Sequence, residues 1–137
     1  MPTRGRKPKP PGQAVNRNAT LDFVEVPNVR FGGAPKLPAT RANGEPWSVR
    51  GRAKWRAWSS MPHCVLWEAE DWQFAFDTIE VAERFLATDD PRAGAELRNR
   101  EKVMGTTFDY RRDIRVRFVD PVEDNPDVAK LDDYRAL

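Results

Sequence analysis

The stretch from Thr88 to Phe118, TDDPRAGAELRNREKVMGTTFDYRRDIRVRF, decides the fold, and both ends of the element pair it encodes are signposted. Asp89 or Asp90 is a good N-cap, and Pro91 suits the first helical position, where a missing N–H costs nothing. Glu96, Leu97, Arg100, Val103 and Met104 continue at helical spacing, and Gly105 stands where a left-handed residue closes a helix. Thr106 or Thr107 then caps a second helix, which Pro121 stops. The expected unit is a helical hairpin. Its second helix has few apolar residues (Phe108, Ile114, Val116, Phe118) and many arginines (Arg111, Arg112, Arg115, Arg117). A hairpin this polar is unstable alone and calls for other helices or copies of itself.

The rest of the 137-residue chain bounds what surrounds that hairpin. This length allows one domain at most, and helical pattern runs only from Ser48 to about Val119. Five tryptophans and seven phenylalanines supply large apolar side chains to a small core, and oligomerisation is a natural way to complete it. The formal net charge of +2 conceals an asymmetry. Residues 1–56 carry twelve Lys/Arg against three acids, and residues 57–137 eleven against eighteen. A basic front and an acidic back predict two different partners, with a polyanion at the basic end. Cys64 is the one cysteine, so a disulfide framework is excluded and a reducing, intracellular setting fits. No apolar run approaches the roughly 20 residues of a membrane span. The basic N-terminus lacks the apolar core of a secretory signal.

Outward from the hairpin the chain divides into three parts. Residues 1–47 read as an extended, Pro/Gly-rich arm, of which residues 1–18 carry Arg4, Arg6, Lys7, Lys9 and Arg17 and no acid. Such an arm lies along phosphates or enters a minor groove. Leu21–Val26 alternates like a strand with no obvious partner, and is read as an extended segment packing on a neighbour. Residues 48–120 form the helical domain. Ser48 caps a first helix to about Ser60, on which Trp47, Gly51, Trp55 and Trp58 share one face, with the tryptophans assigned to the core. Arg50 with Lys54, and Arg52 with Arg56, make basic ridges on either side of that face. A longer helix follows, about Leu66–Ala87, with Trp72, Phe76 and Ile79 on its apolar stripe. Its acidic pairs, Asp71 with Asp77 and Glu80 with Glu83, read as a solvated face. Residues 121–137 are an acidic, partner-binding tail whose last ten residues suit a short helix on another protein.

Chemistry is sparse. His63 and Cys64 are neighbours with no second His or Cys to join them as metal ligands, and adjacent residues seldom face each other as a catalytic pair. They read as partly buried loop residues. Gly32-Gly33 lacks the spacing of a phosphate loop. Neither an enzyme, nor a metal site, nor a cofactor is expected.

Four blocks carry a resemblance. They are Arg4-Gly5-Arg6-Lys7-Pro8-Lys9-Pro10, Trp55-Arg56-Ala57-Trp58-Ser59-Ser60-Met61-Pro62, Glu70-Asp71-Trp72, and Ala95 to Thr107 leading into Asp109 and Arg111/Arg112. In this order they resemble the small terminase subunit of tailed bacteriophages, in the form found among phages of actinobacteria. The resemblance implies an all-α subunit of about four helices, with the C-terminal hairpin, assembled as a ring in the host cytoplasm. It implies binding of double-stranded viral DNA at the packaging site and hand-over to the large terminase, which carries the ATPase and nuclease. One departure stands out: residues 1–47 are too rich in Pro and Gly for the N-terminal helix-turn-helix of many small terminases. DNA contact is therefore expected from Arg4, Arg6, Lys7, Lys9, Arg17, Arg50, Arg52, Lys54 and Arg56. Leu97, Arg100, Val103, Met104, Arg111, Arg112, Ile114, Arg115 and Phe118 are expected at the subunit seam. The hairpin arginines have two readings, DNA or pairing with Glu96 and Glu101 across an interface, and the interface is preferred. The competing function is a non-enzymatic virion or host-directed adaptor whose basic arm only solubilises it.

Overall fold

The Gly105 corner forms as its residues dictate: the glycine sits at φ 70°, in the left-handed region that costs other residues a Cβ clash, and ends the helix before it. In the computed structural model, which describes residues 22–122, that helix is α3, Pro91–Met104. Asp90 caps it by accepting from the Arg92 N–H, 2.9 Å. Asp89 instead ends the preceding helix, α2 (Ala69–Thr88), at φ 51°. Glu68 and Asp71 close a reciprocal capping box at the start of α2, which satisfies backbone donors that no helical carbonyl reaches. With two residues between them, α2 and α3 fold back on each other. Phe85 packs on Gly94, Arg84 bonds Glu96 at 3.0 Å, and Arg100 lies over the Phe74 ring at 5.2 Å.

The second helix of the expected hairpin is short. Thr107 caps α4, which covers only Phe108–Asp113. Arg115 then takes φ 61°, and Val116–Val119 is a strand, β2, rather than more helix. Its partner is β1, Val24–Pro27, in parallel register from Val24 opposite Val116 to Pro27 opposite Val119. The fold is therefore mostly helical with a two-stranded parallel sheet, and the all-α expectation is corrected. Ile114, Val116 and Phe118 alternate with Arg115 and Arg117, so this run has the period of a strand with a half-buried face. A two-stranded pair is marginal by itself. Here Val26 is buried, Phe118 meets the His63 ring at 5.7 Å, and Arg117 pairs with Glu25 across the ladder.

The first helix, α1 (Val49–Ser59), turns Gly51, Trp55 and Trp58 inward. Trp55 stacks on Phe76 of α2 at 4.9 Å between ring centroids, and Ile79, Ala82, Leu97 and Met104 complete the core beside it. Each large apolar side chain so buried contributes about 1.5–3 kcal/mol. A 3-10 turn at Pro62–Leu66 links α1 to α2, where His63 and Cys64 are fully buried rather than loosely placed. The irregular stretch 28–47 is laid on this body. Arg41 bonds Glu80 through two nitrogens, 3.2 and 3.1 Å, the Ala42 N–H adds a third bond, and the Trp47 indole donates to the Pro38 carbonyl.

Two acids expected on a solvated face thus have structural work. Glu80 holds the loop. Glu83, 4% exposed, accepts from the Ser48 hydroxyl at 2.8 Å and from the Ser48 N–H at 3.2 Å. Ser48 Oγ in turn accepts from the Gly51 N–H, 2.9 Å. Residues 1–21, which hold the first part of the arm, and 123–137, which hold most of the tail, lie outside the described residues.

A Cβ at Gly51 would overlap Glu83 Oε1. The carboxyl group would swing away from Ser48, losing bonds worth about 1–3 kcal/mol. Gly51→Ala is therefore expected to lower stability in urea denaturation. In an exposed helix interior the same change gains about 1 kcal/mol, so a stabilised variant would contradict the packing described.

Candidate nucleic-acid interface

With its aromatic face locked inward, α1 presents its cations outward. Arg50, Arg52 and Arg56 are exposed, as are Ala53 and Ala57 between them. At 100° per residue, Ala53 lies on the centre line, Arg52 and Arg56 on one flank, and Arg50 and Lys54 on the other. Two cationic ridges therefore border a strip of methyl groups, which lets a phosphate backbone approach the helix closely. Among the described residues none of Arg50, Arg52 and Arg56 forms an ion pair. Lys54 differs. Its Nζ is 3.7 Å from Glu101 Oε1 and lies 5.7 Å from the Trp58 ring centroid. Burial pushes the Glu101 carboxyl above its ordinary range, opposed by the Lys54 charge.

The residues expected at the subunit seam are dispersed. Leu97 and Met104 are in the chain's own core, so their apolar surface is already used. Arg100 bonds Glu96 through two nitrogens. With Glu101 on Lys54, the two acids proposed as partners of the hairpin arginines across an interface are engaged within the chain. Arg112 pairs loosely with Asp109, 3.8 Å, and Arg115 and Arg117 flank the Phe23 ring. Arg111 lies over Phe118 at 4.8 Å. Val103 and Ile114 remain exposed, Val103 at 65%. A different apolar patch was not foreseen: Val29 and Val65 share a shallow surface groove with Phe31 and Pro62, and Leu66 beside Val65 is also exposed. The arm cations Arg4, Arg6, Lys7, Lys9 and Arg17 lie outside the described residues.

No group of three or more His, Cys, Asp or Glu is placed to hold a metal ion among the described residues. The Cys64 thiol donates to the Trp58 carbonyl at 3.1 Å, and burial pushes its pKa up to about 12, so it stays protonated at neutral pH. No helix among these residues is long and apolar enough to cross a membrane.

A family profile described as phage terminase small subunit matches residues 3–137. The chain belongs to the phage terminase small-subunit family. No curated protein and no solved structure matches it. Membership places this terminase small subunit in phage DNA packaging, in which the terminase acts in the host cytoplasm. Small subunits of this kind are generally regulatory and DNA-binding rather than catalytic. Two functional candidates that reading by pattern missed, the cation Arg30 and the hydroxyl-bearing Thr106, line a cleft beside α1. Neither falls in a periodic segment, so only the folded loop brings them there.

His63, buried in the 3-10 turn, has its Nε2 2.7 Å from the Met104 carbonyl oxygen, while Nδ1 has no partner among the described residues. Burial lowers the imidazole pKa; the Met104 bond opposes this, and the Arg111 charge adds to it. An unfolded imidazole takes up its proton near pH 6.5 and the folded one only at lower pH. The unfolded state therefore binds more protons in that interval, and stability falls as pH drops below about 6.5. Urea titrations of the terminase subunit should show this fall, at most about 1.4 kcal/mol per pH unit. His63→Gln should remove it. A slope unchanged in the variant would contradict a buried neutral imidazole.

Proposed function

We propose that this small terminase subunit is a non-enzymatic DNA-binding adaptor, which grips duplex DNA with the outer face of α1 and the basic N-terminal arm. The observation that carries the reading is the pair of cationic ridges on α1. Arg50, Arg52 and Arg56 stand exposed without ion-pair partners among the described residues, around the open strip at Ala53 and Ala57. Charges held together with no acid to offset them repel one another unless a polyanion meets them. Contacts of this kind read phosphate rather than base sequence, so they give affinity and register without strong sequence preference. The arm, with Arg4, Arg6, Lys7, Lys9 and Arg17, extends the same contact along the backbone.

Assembly into a ring completes the proposal. The exposed apolar surface at Val29, Val65 and Leu66, with Val103 and Phe108 elsewhere on the body, is covered by neighbouring copies. The acidic residues 121–137 meet the large terminase. Repeating α1 around a ring multiplies weak phosphate contacts into firm binding through effective concentration.

Fluorescence polarisation with a labelled duplex across a salt series tests the DNA contact. The double variant Arg52→Gln, Arg56→Gln should bind more weakly, and the slope of log affinity against log salt should fall by about 1.8, two phosphates at about 0.9 each. Its stability should stay within about 0.5 kcal/mol of wild type, since both side chains are on the surface. Unchanged affinity and slope would refute α1 as the DNA face. Light scattering on the same samples checks assembly, and a strict monomer would refute the ring.

A further inference from the structure

Beside the α1 face lies a cleft of about 660 Å³ that the reading above leaves without a role. Arg30 lines it from the loop after β1, Lys54 from α1 and Arg111 from α4. Glu101 is the one carboxylate among the lining residues, and it is taken up by Lys54. Neither Arg30 nor Arg111 has an ion-pair partner among the described residues. Arg111 spends one N–H on the Gly105 carbonyl, a long 3.4 Å bond, and its guanidinium covers Phe118. Burial, and then the charge of Arg30, disfavour the charged form of Arg111, so the two guanidiniums feel each other across the cleft. Like charges kept close in a partly buried place are costly.

A second observation is independent of charge. Thr106 is among the residues lining the same cleft, and its buried hydroxyl oxygen has no hydrogen-bond partner among the described residues. An orphaned buried hydroxyl is unfavourable unless something arrives to bond it. Two guanidiniums without ion-pair partners and one unbonded hydroxyl are a donor set without an anionic acceptor among the described residues, and the acceptor they suit is an oxyanion with several oxygens. The cleft is also continuous with the DNA face, because Lys54 and Ala57 belong both to its wall and to α1.

The geometry points to a phosphate-binding cleft in which Arg30, Arg111 and Thr106 hold a backbone phosphate of the duplex that lies along α1. This deepens, and rests on, the reading of α1 as the DNA face. Other anions are at hand: the chain leaves β2 at Val119, whose carbonyl accepts from the Asn28 N–H at 2.8 Å, and Asp120 and the acidic residues after it follow. The wall shared with α1 favours the duplex over that segment, since a phosphate in the cleft has neighbours to set on Lys54 and Arg50.

Arg30→Gln is the direct probe, because Arg30 is exposed and its loss leaves the core intact. In the full-length chain it should weaken duplex binding about three- to tenfold and lower the salt slope by about 1. Arg30→Lys, which keeps the charge, should keep the slope. If Arg30→Gln matches wild type while Arg52→Gln, Arg56→Gln binds weakly, the cleft assignment fails and the α1 reading stands. If wild type binds no duplex even at low salt, both fail. A chain ending at Val122 that gains affinity only when Arg30 is present gives the cleft to the acidic segment, and overturns the proposal as well.

Discussion

The carboxyl group of Glu83 fixes the orientation on which the rest of the molecule depends. It emerges from α2 into the start of α1, meets the Ser48 hydroxyl and N–H, and occupies the space that any side chain at Gly51 would fill. A carboxyl group at a helix N-terminus meets orphan N–H groups and a favourable dipole. Set there from another helix, it also determines which way α1 faces. The tryptophans must then enter the core, and the arginines must leave it. Hydrophobic burial supplies the larger stabilisation, and the polar contact supplies the register.

The parallel pair β1–β2 plays the corresponding part for the chain ends. It joins a segment near residue 24 to one near residue 118, bracing the 3-10 turn that carries His63 between them. Because the strands run the same way, the chain enters β1 and leaves β2 at opposite ends of the ladder. The residues just before β1 and just after β2 therefore join the ladder at different ends. That arrangement suits the proposal that the two charged extensions serve different partners. It also sets Arg30, just beyond β1, beside Arg111 and next to α1, so the proposed phosphate cleft is a consequence of the same pairing.

Much of the helical frame was legible because its signals are local. Ser48, Asp90 with Pro91, Gly105 and Thr107 each mark a terminus through bonds made within three residues or so. The spacing of Trp47, Gly51, Trp55 and Trp58 gave α1 its buried face. What failed to show depends on residues far apart in the chain. The run from Arg111 to Phe118 satisfies a helical reading at its start and a strand reading at its end, and its true partner lies 92 residues away, as in the Arg117–Glu25 contact. Glu80 and Glu83 look like any solvated acids until a loop some 35 to 39 residues earlier comes down on them. Leu97 and Met104 have the spacing of a seam and also of a core, and only packing distinguishes the two. Of the proposed binding face, the α1 ridges were readable from spacing, and Lys54 and Arg111 were named by it, whereas the cleft was not, because Arg30 sits in an aperiodic loop.

If Glu83 sets α1 in place, the first turn of that helix cannot fray as an exposed helix end does. Native-state hydrogen exchange at the Ser48 and Gly51 amides measures this directly. The account predicts that both exchange only through global unfolding, with opening free energies equal to those of amides in the middle of α2. Exchange by local opening at Ser48 and Gly51, while the middle of α2 stays protected, would contradict it.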